Sequence, residues 1–175
     1  MNEPYIINDD NAIRYVLGKY NNKPMVVFGI NPSTATNDKS DTTISKVSSF
    51  AQRYGFDGYV MLNVYPVRAT QMDGKTRGGA QLSHSFDKSI HEENLCHISQ
   101  YISKECLLVA AWGVSIRKRA YFMQLLRDIN EIAKEKGVRW HCFGKTKAGH
   151  PSHPSRLPYN NKPMDFDIDA YLGGC

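Results

Sequence analysis

The chain has no long apolar run, no repeat, no low-complexity stretch and few cysteines, and each absence narrows what it can be. No window approaches the roughly 18 apolar residues that a membrane helix needs. Residues 1–10 carry acidic side chains and lack the basic-then-apolar order of an export signal, so a cytoplasmic protein without membrane partners is expected. The cysteines, Cys96, Cys106, Cys142 and Cys175, show no CxxC spacing. They read as reduced thiols rather than a disulfide framework. Acidic residues are the scarcer charge, 17 Asp and Glu against 22 Lys and Arg, a formal net charge of +5. That balance suits a polyanionic partner, though many basic proteins bind no nucleic acid.

At 175 residues the chain reads as one domain, residues 1–175, with a real core. Strand and helix signals alternate. Residues 11–20 place Ile13, Val16, Leu17 and Tyr20 at helical spacing, weakened by Gly18. Residues 24–30 form a β-rich run. Asp41-Thr42-Thr43 reads as the cap of a helix to about Tyr54, with Ile44, Val47, Phe50 and Ala51 inward. A second strand is expected over 59–64, and a long glycine-bearing loop over 68–85. A helix over 86–103, a continuously apolar strand over 106–112 and a long helix over 115–136 ending at Gly137 follow. Residues 138–143 make a fourth strand, and 145–163 a proline-rich loop. Strands separated by helices predict a four-stranded parallel sheet in a three-layer α/β/α sandwich.

Two segments at opposite ends of this pattern carry chemistry. Gly29-Ile30-Asn31-Pro32-Ser33 ends the first parallel strand, and His153-Pro154-Ser155-Arg156-Leu157 lies about 120 residues later, after the fourth. Ligands of open α/β sheets sit where loops leave the carboxyl ends of strands. The two loops can therefore meet. His141, Cys142, His150 and His153 also suggest zinc, but no CxxC or carboxylate partner completes a ligand set, and no metal or other cofactor is expected.

The order of these elements and motifs resembles the uracil-DNA glycosylase superfamily from about Pro24 to Leu157. Val26-Val27-Phe28-Gly29-Ile30-Asn31-Pro32 looks like the first motif of the mismatch-specific branch. Met61-Leu62-Asn63 resembles the strand that ends in a base-reading Asn. Leu107 to Gly113, followed by Ile116-Arg117-Lys118-Arg119, resembles the third strand and its basic helix start. His153-Pro154-Ser155-Arg156-Leu157 resembles the second catalytic motif. The chain also looks like a less characterised bacterial and phage family with a GxNPS…HPxHPxRL pattern.

The resemblance implies a DNA glycosylase that flips a uracil, mismatched thymine or modified pyrimidine out of DNA and hydrolyses its N-glycosidic bond. Asn31 would position water, and His153 would stabilise the departing base; His150 is the competing histidine. Gly29, Ile30, Pro32, Ser33, Asn63 and Ser155 would bind substrate. Ser33 would leave room for a 5-substituent, and the Asn63 amide offers both a donor and an acceptor to a pyrimidine edge. Arg117, Lys118, Lys145, Lys147 and Arg156 would meet phosphates, and Leu157 would wedge the base stack of DNA bound by a monomer.

Each residue has a plainer reading: a turn for Asn31-Pro32, a cap for Ser33, a strand-end bond for Asn63, an exposed loop histidine for His153, core for Leu157, and solvated faces for the basic residues. The pattern departs from the family in one respect. No aromatic residue follows the first motif until Phe50, leaving Tyr65 or Tyr159 as substitutes for a stacking platform. A non-catalytic reader of nucleic acid or a modified base, and an N-glycosidase acting on free nucleosides or nucleotides, are the alternatives.

Overall fold

In the computed structural model, which describes residues 1–32, 41–69 and 82–174, the chain folds around one mixed sheet. Its strands are β1 (Tyr5–Ile7), β2 (Arg14–Lys19), β3 (Pro24–Gly29), β4 (Gly58–Asn63), β5 (Leu107–Ala110), β6 (Trp140–Cys142) and β7 (Met164–Asp165). Their order across the sheet is β1-β2-β4-β3-β5-β6-β7. The strands β4, β3, β5 and β6 pair in parallel, as the sequence predicts. The expectation of a purely parallel four-stranded sheet is corrected at its edges. There β1, β2 and β7 add antiparallel pairs and bring the sheet to seven strands.

The largest correction is β2, where helical spacing predicts a helix. Arg14, Tyr15, Val16, Leu17 and Gly18 are all buried, because β2 lies inside the sheet between β1 and β4. A strand covered on both faces buries every residue, and positions three and four apart then mimic a helix. Gly18 permits the close β2–β4 approach: a Cβ there would lie 2.9 Å from the Tyr59 carbonyl oxygen.

Helices cover both faces of the sheet. Alternate β3 residues point to opposite sides. Val26 and Phe28 join the cluster under α2 (Lys88–Tyr101), α3 (Tyr121–Glu135) and α4 (Ile168–Gly173), through Ile98, Phe122, Leu125, Ile129 and Leu172. Met25 and Val27 join the cluster under α1 (Thr42–Arg53), through Ile44, Val47, Phe50 and Ala51. Asp41 caps α1, its carboxylate accepting from the Ile44 N–H at 2.9 Å.

The long helix expected over 115–136 is broken. A 3₁₀ turn, Gly113–Lys118, precedes α3. Arg119 between them is extended, and its guanidinium donates to the Leu82, Ser83 and Lys118 carbonyls. That buried anchor sets the break. Among the described residues Cys96, Cys106 and Cys142 are free thiols, and no helix is long and apolar enough to cross a membrane.

Candidate active site

The parallel strands β4, β3 and β5 end at one edge of the sheet, and their last residues open a cavity. Gly29 and Asn63 are partners in register at the ends of β3 and β4. The ladder continues past the strands: Val64 N–H donates to the Gly29 carbonyl at 3.0 Å and Tyr65 N–H to that of Ile30 at 2.9 Å. Beyond β5 the chain turns sharply at Gly113, whose φ of +64° is left-handed. Gly113 N–H donates to the Pro151 carbonyl at 2.8 Å, which ties this turn to the histidine loop.

Asn31, Asn63 and His153 line the same cavity, of about 120 Å³, together with Arg14, Thr43 and Ser115. It adjoins a larger cleft of about 330 Å³ that includes Thr146, Ser152, Ser155 and Arg156. Trp112, Ser115 and His153 line both spaces. Two loops far apart in sequence thus meet at the carboxyl ends of the parallel strands.

Asn63 is 1% exposed. Its backbone carbonyl accepts from Asn94 Nδ2 at 3.1 Å, while its own Nδ2 donates to no acceptor among the described residues. A buried amide donor left unpaired is costly, and native structures contain few of them. The amide nitrogen of this cavity-lining side chain therefore makes no strand-closing bond among the described residues. Asn31 Nδ2 donates to the Ala69 carbonyl at 2.8 Å. That bond fixes the amide and leaves Oδ1 as its acceptor.

His153 begins the short 3₁₀ turn Pro154–Arg156. Its Nδ1 stands 2.8 Å from Ser155 Oγ and 3.4 Å from the Ser155 N–H, which donates to it. A neutral imidazole that accepts at Nδ1 carries its proton on Nε2. Burial, then Arg156, lower the His153 pKa, against an opposing pull from Asp41. The ring is thus held neutral. His150, the competing histidine, is 3% exposed and packs away from these spaces, its Nδ1 2.8 Å from the Tyr171 hydroxyl.

The structure adds Arg14, which sequence reasoning missed. Read as part of a helix, it belongs on a solvated face. In β2 it is 2% exposed, and its N–H donates to the Pro66 carbonyl at 2.9 Å, just beyond β4. Burial first, then neighbouring Arg68, push its pKa down to about 10, so it stays charged at neutral pH.

Of the remaining motif residues, Gly29, Ile30 and Pro32 are buried, Gly29 and Ile30 lining the smaller cavity. Ser33 lies outside the described residues. Leu157 requires a correction. It is 7% exposed and packs in the core under α1 near Phe50 and Phe143, while Lys46 Nζ holds its carbonyl at 2.7 Å. An apolar side chain so placed is core, not a wedge presented to a base stack. Arg117, Lys118, Lys145, Lys147 and Arg156 are exposed, and Arg156 lines the larger cleft.

Neither proposed aromatic substitute reaches the cavity lining. The buried Tyr65 hydroxyl accepts from Asp87 N–H at 2.9 Å, and the exposed Tyr159 ring lies 3.5 Å below Lys46 Nζ. Trp112 is buried and lines both spaces.

Comparison with known proteins assigns a family. The model of DUF1643, described as a protein of unknown function, matches residues 14–155. The match corrects the resemblance to the uracil-DNA glycosylase superfamily: the family found is DUF1643, not a glycosylase family. No curated protein matches. No solved structure matches. The matched stretch contains Arg14, Asn31, Asn63 and His153.

Proposed function

We propose that this chain, which belongs to the DUF1643 family of proteins of unknown function, hydrolyses the N-glycosidic bond of uracil, mismatched thymine or a modified pyrimidine in DNA. The observation that carries the reading is the convergence of Asn31, Asn63 and His153 on one cavity at the strand ends. Ligand pockets commonly measure about 300–1,000 Å³. The smaller cavity suits one compact group and the adjoining cleft the rest of a nucleotide.

In this reading the base enters the smaller cavity and Asn63 Nδ2 donates to a ring carbonyl. The bond between C1′ and the base nitrogen breaks, and its electron pair leaves with the base. Asn31 Oδ1 holds the water whose oxygen attacks C1′, and the proton that water loses passes to solvent or to the base. An amide is too weak a base to pull that proton early, so the contribution of Asn31 is positioning. His153 donates from Nε2 to the oxygen on which charge gathers.

The test is base release from labelled oligonucleotides carrying uracil, thymine opposite guanine, or 5-substituted pyrimidines, in single and double strands. Release by the native protein and not by the Asn31→Ala/His153→Ala protein is expected. Retention of DNA without release would replace the reading with a non-catalytic reader. A free nucleoside or nucleotide is the second substrate reading. The burial of Leu157 favours it, since the feature expected to open a duplex is core. Release from free nucleotides alone would select it.

A further inference from the structure

The polar side chains lining the larger cleft are Ser115, Thr146, Ser152, His153, Ser155 and Arg156, with no carboxylate among the described residues that line it. We infer that this cleft binds the phosphoryl group of a pyrimidine nucleotide whose base occupies the smaller cavity. The inference rests on the glycosidic reading for the base and adds the other end of the ligand.

The first observation is where the hydroxyl protons go. Ser155 Oγ and the Ser155 N–H both face His153 Nδ1, at 2.8 and 3.4 Å. An N–H can only donate, so Nδ1 carries no proton and the Ser155 hydroxyl donates to it as well. Thr146 Oγ1 accepts from the His150 N–H at 3.2 Å, which leaves its own proton to donate elsewhere. Ser115 and Ser152 make no side-chain hydrogen bond among the described residues, and Arg156 has no ion-pair partner among them. Three hydroxyls and a guanidinium thus offer protons to a space whose lining side chains present no anion. Phosphate oxygens accept from such a set, and Arg, Ser and Thr are side chains that commonly meet them.

The second observation is position. Trp112, Ser115 and His153 line both spaces, so one ligand can span them. The left-handed turn at Gly113 carries the chain from β5 into the 3₁₀ turn that holds Ser115. The bond from Gly113 N–H to the Pro151 carbonyl ties that turn to the loop of Ser152. The charge of Arg156 acts on His153, second to burial in lowering its pKa. Asp41, the carboxylate that opposes it, does not line the cleft and caps α1.

The experiment is calorimetry on the full chain at pH 7 and fixed salt, with 2′-deoxyuridine and its 5′-monophosphate. The monophosphate should bind at least tenfold more tightly. Ser115→Ala/Ser152→Ala and Arg156→Gln should each cut that preference at least threefold. Arg139→Gln, at an exposed arginine lining a separate cleft beside β6 and β7, should keep it whole. Equal affinities, no binding of either ligand, or a preference that survives both cleft variants would overturn the inference. So would its loss in Arg139→Gln, which would trace the attraction to net charge. The altered cleft residues are half-buried or exposed, and if one variant does not fold, the other and the wild-type ratio decide. A uracil trinucleotide without terminal phosphates separates the two sources of the phosphoryl group. Tighter binding than the monophosphate assigns it to a strand, and weaker binding to a free nucleotide. A cleft-dependent preference without base release from any substrate would overturn the glycosidic reading and leave the phosphoryl site standing. Base release without the preference would do the reverse.

Discussion

A Cβ placed on Gly29 would stand 3.2 Å from Asn63 Oδ1, so the glycine at the end of β3 makes room for the amide at the end of β4. Gly29 has an ordinary negative φ, and the requirement is space rather than backbone freedom. The neighbour must yield by a few tenths of an ångström to admit a methyl group. Gly29→Ala should therefore cost only about 1 kcal/mol of stability, in the range of mild overpacking. It should cut single-turnover base release about tenfold, because the carboxamide turns away from its ligand. A urea titration paired with single-turnover kinetics checks both numbers. A large stability loss with proportionate activity loss would show that Gly29 serves only the fold.

The parallel strands were legible because each is a short apolar run bounded by turn residues. The meeting of Asn31, Asn63 and His153 followed from the same signal, since parallel strands carry their loops to one edge. What was not legible has a common cause. In β2, burial on both faces produces spacing that a helix also produces, and a helix over these residues gives no reason to place Arg14 inward. No local signal marks an arginine as inward. The edge strands β1 and β7 are three and two residues long, too short for any period to show. The break before α3 depends on Arg119 reaching the Leu82 and Ser83 carbonyls, which lie far along the chain.

His153 and His150 both have pKa values lowered by burial from 6.5, which ties stability to pH. In each case the unfolded chain binds the proton more readily than the folded one. Stability is therefore fully present above the unfolded value and is lost as pH falls below it toward the folded values. Urea midpoints should be flat from pH 8 to 7 and decline below about 6.5. His153→Asn should make that decline shallower, with no change in the plateau above pH 7 beyond a constant offset. An identical slope in the variant would mean that His153 is not held neutral by the fold.

Arg117, Lys147 and Arg156 are exposed, so converting them to Gln should leave the melting temperature within a degree or two. If all three meet phosphates, the slope of log K against log salt should become shallower by about 2 to 3, at roughly 0.9 for each phosphate that is no longer neutralised. Fluorescence anisotropy on a labelled oligonucleotide across a salt series reads this directly. An unchanged slope would remove these residues from the DNA interface and favour a free nucleotide substrate.

Leu157 separates core from interface most cleanly, because the two roles predict opposite results for one substitution. Its side chain packs near Phe50 and Phe143 and against the backbone at Gly144, where a Cβ would lie 3.2 Å from Leu157 Cδ2. Leu157→Ala removes buried methyl groups and leaves a cavity, at a cost of about 2–4 kcal/mol. Base release per folded molecule should stay close to the wild-type rate at a temperature where the variant is folded. A wedge would behave otherwise: an exposed leucine replaced by alanine would leave stability untouched and slow release from duplex far more than from single strands. Measuring the urea midpoint and the duplex-to-single-strand rate ratio on the same protein distinguishes them. A preserved midpoint with a collapsed ratio would require Leu157 to leave the core when DNA binds, and would restore the duplex as the natural substrate.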